Sequence, residues 1–140
     1  MRLAAEDADD LPVLSAALQD AVCKVADLSF KPGARRFTLA VNRYLWEAGR
    51  KGKGWRTRSA LDIGGVLDAK FTRLRRDAPD AVLSLLSVNF EPGEAPGGWI
   101  TLTFSGGGAV RLEVECVDAL LADLAQPWPA ARRPNHPDTA

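Results

Sequence analysis

From Leu86 to Val114 the chain passes three times through strict alternation of apolar and polar residues, and this pattern constrains the fold more than any other. Leu86, Val88 and Phe90 alternate with Ser87 and Asn89; Ile100, Leu102 and Phe104 with Thr101 and Thr103; Val110, Leu112 and Val114 with Arg111, Glu113 and Glu115. A period of two puts successive side chains on opposite faces of a strand. Glu91-Pro92-Gly93-Glu94-Ala95-Pro96-Gly97-Gly98 and Gly106-Gly107-Gly108 separate the runs and supply the turn residues. The reading is a three-stranded antiparallel meander with one face in the core and one in solvent.

Upstream, Leu11, Leu14, Leu18 and Ala21 recur at helical spacing, with Asp9 or Asp10 placed to cap and Pro12 in the first turn. This predicts a short helix ending near Asp20 to Val22. Alternation then begins. Ala26, Leu28 and Phe30, then Phe37, Leu39 and Val41, flank Lys31-Pro32-Gly33-Ala34-Arg35, which reads as a β-hairpin. Glu47 to Gly54 reads as a loop. Strand character returns from Trp55 to Ile63 and, after Gly64-Gly65, at Leu67, Ala69 and Phe71; Arg75 to Asp80 forms another loop.

Val117, Leu120, Leu121 and Leu124 return to helical spacing, which predicts a C-terminal helix. None of the links between strands is long enough for a crossover helix, which disfavours parallel pairing and argues against a nucleotide-binding doubly wound fold. The expected fold is α+β and mostly antiparallel β: a pleckstrin-homology-like (PH-like), seven-strand curled sheet or barrel with an N-terminal helix and a C-terminal capping helix. A β-sandwich with two helices is the alternative. At 140 residues the chain suits one domain, able to bury roughly 70% of its unfolded surface without staples. That domain is expected over residues 1–125, with a Pro-rich tail over 126–140.

Four stretches carry a resemblance: Leu18 to Asp27 (LQDAVCKVAD), Val41 to Glu47 (VNRYLWE), Leu83 to Gly93 (through LLSVNFEPG) and Thr101 to Leu124 (TLTFSGGGAVRLEVECVDALLADL). In these the chain resembles the bacterial domain-of-unknown-function family DUF2948, over nearly everything but the tail. The resemblance implies a single bacterial cytoplasmic domain and carries no catalytic assignment.

Catalytic chemistry has little to work with. Eighteen basic residues balance eighteen acidic ones, so net charge gives no reason to expect nucleic acid or a membrane as partner. The start MRLAAEDADD lacks an apolar stretch of signal-peptide length, and no run approaches the ~20 apolar residues of a membrane span. A cytoplasmic location is expected, with Cys23 and Cys116 as reduced thiols. One histidine, His136, sits between prolines, which argues against a zinc site and a nucleophile–base pair. Glu113 and Glu115 share the polar face of their strand. Neither GRKGKG (Gly49 to Gly54) nor SGGG (Ser105 to Gly108) has phosphate-loop spacing followed by a helix. No metal, cofactor or enzymatic activity is expected.

Two functional readings follow. Arg50, Lys51, Lys53, Arg56 and Arg58 form a cationic run around Trp55, a candidate site for a phosphorylated or other anionic ligand, nucleic acid being the less favoured. The preferred reading is a non-enzymatic module for a protein or peptide partner, with Trp55 and Trp128 as candidate anchors and a sheet edge at Val82 to Phe90, beside the C-terminal helix, open to an added strand. Trp46 and Trp99 are further anchor candidates, and packing within the domain is the simpler role for each tryptophan.

Overall fold

The structure is a computed structural model that describes residues 1–44, 55–124 and 128–129. Its elements are β1 (Arg2–Ala5), α1 (Leu11–Leu18), β2 (Val22–Lys24), β3 (Leu28–Lys31), β4 (Arg36–Tyr44), β5 (Trp55–Ile63), β6 (Val66–Thr72), β7 (Val82–Pro92), β8 (Gly98–Phe104), β9 (Ala109–Val114), β10 (Ala119–Asp123) and β11 (Trp128–Pro129). All observed strand pairings are antiparallel, in the order β1-β10-β5-β4-β2-β7-β8-β9-β6, with β3 joined to β4 and β11 to β5. The sheet does not close, and its ends are β1 and β6.

The meander β7–β8–β9 forms as its alternation demands. Val88 pairs with Leu102 and Leu102 with Val110, and all three are buried. One register correction falls at β7. A bulge between Leu85 and Ser87 sets Leu85 inward and leaves Leu86 outward at 45% exposure, so Leu85 takes the place expected of Leu86. The hairpin β3–β4 forms around a turn at Pro32–Ala34 with Phe30 opposite Phe37. Gly98 opens β8 where its Cα lies against the Glu91 carbonyl; an added Cβ would come within 2.4 Å of that oxygen.

Helix α1 lays Leu11, Leu14 and Leu18 on the core. Asp10 holds the N-cap position without capping the helix by its side chain; its carboxylate accepts the Glu6 N–H at 3.0 Å, while Asp7 accepts the Asp10 N–H at 3.1 Å.

The C-terminal helix is not formed, and the seven-strand count is exceeded. Residues 119–123 are strand β10, paired with β5 on one side and β1 on the other. Burial there has a period of two, through Val117, Ala119 and Leu121, while Leu124 is 60% exposed. Two ladders of backbone hydrogen bonds outweigh the local helical spacing. The PH-like barrel corked by a C-terminal helix thus gives way to an open antiparallel sheet whose single α-helix, among the described residues, is α1.

Candidate functional site

The cationic run divides at the β4–β5 hairpin. Arg50, Lys51 and Lys53, the loop of residues 47–54 and Trp46 lie outside the described residues. Arg56 and Arg58 stand on the outer face of β5 and reach across to β4: Arg56 Nη1 donates to the Asn42 carbonyl at 3.2 Å and Arg58 Nη1 to Asn42 Oδ1 at 3.2 Å. Arg58 Nη2 also meets Asp27 Oδ1 at 3.4 Å. Trp55 begins β5, and the tail returns to it: Trp128 pairs with Arg56 and Pro129 with Trp55. The candidate anchor positions Trp55 and Trp128 therefore lie on paired strands at one end of β5, one register step apart, and strand β11 lies past residue 125.

A second cluster escaped the sequence reading. On β4 the inward series Phe37, Leu39, Val41 continues to Arg43, which is 0% exposed. On β5 the series Ile63, Leu61 continues to Ser59 and Thr57, also buried, and on β10 Ala119 and Leu121 lead to Asp123. The interior thus turns polar at one end across three adjacent strands. Ser59 Oγ donates to Asp123 Oδ1 at 2.7 Å, Arg43 Nη2 to the same oxygen at 2.9 Å and Arg43 Nε to Ser59 Oγ at 3.0 Å, while the Met1 ammonium lies 3.2 Å from Asp123 Oδ2. Burial acts to raise the Asp123 carboxyl, but the hydrogen bonds from Ser59 and Arg43 and the Arg43 charge outweigh it and hold the group below the ordinary carboxylate range. The signal was in the phase: polar residues at positions where period two calls for apolar ones.

The Cys23 thiol is not activated by its surroundings. Burial, with repulsion from Asp27 and against attraction from Arg58, pushes Cys23 up to about 12. Cys116 is half-buried. Among the described residues, no three His, Cys, Asp or Glu side chains gather to hold a metal. No described helix is long and apolar enough to cross a membrane.

A groove of about 470 Å³ runs between α1 and β7. Leu11, Val88 and Phe90 line its apolar part; Ser15, Gln19 and Asn89 add polar groups. The partly exposed Leu86 stands at its side because of the bulge. The edge at Val82 to Phe90 is closed over its first part, since Val82, Leu83 and Ser84 pair with β2 and the Leu85 N–H and C=O bond to Ala21 and Asp20. Beyond Leu85, and among the described residues, no strand joins that side of β7. Helix α1, not a C-terminal helix, lies along it, and the Val88 N–H donates to Ser15 Oγ at 2.9 Å. By the antiparallel alternation, Phe90 and Pro92 turn their backbones to the same side as Val88. A second cavity of about 200 Å³ shares Ala8 and Phe90 with the groove and extends to Glu6, Asp7, Pro96 and Cys116.

These features define a small antiparallel β domain with one helix beside a partly open strand edge. The family model described as Protein of unknown function (DUF2948) matches residues 1–136, and the chain belongs to that family. No curated protein and no solved structure matches the chain.

Proposed function

We propose that this chain is a non-enzymatic domain that binds a partner protein by taking a short extended segment of it into the groove between α1 and β7. The observation that carries the reading is the edge of β7 beyond Leu85, which no described strand pairs on the α1 side and which borders a groove with an apolar floor. An extended segment suits such an edge because its main chain meets backbone groups while alternate side chains enter pockets. Pro92 has no N–H, so the edge offers few backbone donors and recognition falls mainly on the partly exposed side chains of Leu86 and Phe90. A bacterial cytoplasm is the proposed setting; the free thiols Cys23 and Cys116 support it.

The test is selection of a displayed library of random twelve-residue peptides on the full chain, followed by affinity measurements on variants. Leu86→Glu, at a half-exposed position, is expected to weaken binding at least about tenfold with an unchanged circular dichroism spectrum. The pair Arg56→Ala and Arg58→Ala is expected to leave binding unchanged. The reverse pattern, with steep salt dependence, overturns the groove and favours anion binding at the basic run.

A further inference from the structure

Resting on that reading, we infer that the segment taken by the groove is basic, with a lysine or arginine side chain in the smaller cavity and a neighbouring apolar side chain in the larger. The smaller cavity is mostly apolar and has Glu6 and Asp7, but no lysine or arginine, among its lining residues, so it suits the aliphatic stem of a basic side chain whose charged end stays near those acids; the larger has no charged side chain in its lining. Glu6 and Asp7 are exposed and form no ion pair among the described residues, although the chain as a whole is neutral. One oxygen of Asp7 accepts the Asp10 N–H and leaves the other for a ligand. Asp9 and Asp10 add to the same field from the start of α1, and Glu94 from the β7–β8 turn. Arg111 on β9 is held 3.2 Å from Glu91 and stacks on Trp99 at 5.0 Å, and Arg35 is held by Glu115.

An acidic run by itself is ordinarily a solvated surface. Here it borders a cavity that shares the lining residues Ala8 and Phe90 with the groove beside the open strand edge. A cation with an apolar neighbour in an extended chain satisfies all three features together, and the charge match also steers the approach. An acidic segment would meet repulsion, and a neutral one would leave the carboxylates without a partner.

Cys116 lines the smaller cavity and reports on it directly. Peptides selected on the full chain are scored for protection of Cys116 from iodoacetamide. Protecting peptides are expected to carry net positive charge. They are expected to lose affinity by about three- to tenfold with Glu6→Gln plus Asp7→Asn, the asparagine keeping an acceptor for the Asp10 N–H. Protecting peptides that are neutral or acidic and indifferent to those substitutions would overturn the inference while leaving the docking reading in place. Selected peptides that never protect Cys116 and are indifferent to Leu86→Glu would remove the docking reading itself. Protection that develops on concentrating the protein alone would assign the groove to a second copy of this chain and overturn the inference.

Discussion

Arg43 and Asp123 lie 80 positions apart in sequence and meet with Arg43 Nη2 2.9 Å from Asp123 Oδ1, tying β4 to β10 across β5. Asp123 is 17% exposed and Arg43 wholly buried, so the two residues respond differently to loss of the partner. Asp123→Ala takes the paired carboxylate from a wholly buried guanidinium, which keeps Ser59, and is expected to cost about 3 kcal/mol in urea unfolding. Arg43→Met leaves Asp123 with Ser59, the Met1 ammonium and some water, and the expected loss is smaller. Equal losses would contradict the asymmetry of burial.

The same carboxylate sets an acid limit. Its native pKa is lowered from the ordinary value of 3.8, so the native state binds fewer protons there than the unfolded chain. The stabilisation is complete above about pH 4 and disappears as pH falls through the lowered native value. Asp123→Asn should therefore flatten the pH dependence of stability below about pH 4. An unchanged acid slope would assign that dependence to other groups.

The two thiols should separate in alkylation. Cys23, buried and pushed up to about 12, is expected to stay unmodified at pH 8 while the half-buried Cys116 reacts with iodoacetamide. Peptide mapping by mass spectrometry reads the result. Modification of Cys23 in the folded protein, at a rate near that of Cys116, would contradict the packing of β2.

Two substitutions probe the groove's scaffold. Ser15→Ala removes the acceptor for the Val88 N–H and is expected to cost about 1 kcal/mol. Gly98→Ala forces a methyl group against the Glu91 carbonyl and the Phe90 ring and is expected to cost about 1–3 kcal/mol. Thermal or urea unfolding measures both, and a neutral Gly98→Ala would mean the β7–β8 pair is looser than described.

The parts of this fold readable from sequence are those whose local pattern and tertiary environment agree. Ile100, Leu102 and Phe104 alternate in sequence and are buried in the same alternation. Residues 117–124 were misleading because the inward series Val117, Ala119, Leu121 ends in Asp123, whose burial depends on Arg43, while the outward Leu120 and Leu124 complete a false helical stripe. Strand β1 was hidden within an acidic N-terminal run, since four residues pairing with β10 leave too short a pattern to read. The groove was only half legible. The strand was visible as a strand, but which part of its edge stays open depends on how far β2 reaches and on the crossing of α1, both long-range facts.

The groove's occupation is read most directly from amide hydrogen exchange at Phe90, whose backbone faces the open side of β7. With a selected peptide bound, the account predicts slowed exchange at Phe90 and around Ala8 to Leu11, with β5 unchanged at Arg56 and Arg58. Slowing confined to Arg56 and Arg58, with Phe90 unaffected, would contradict it.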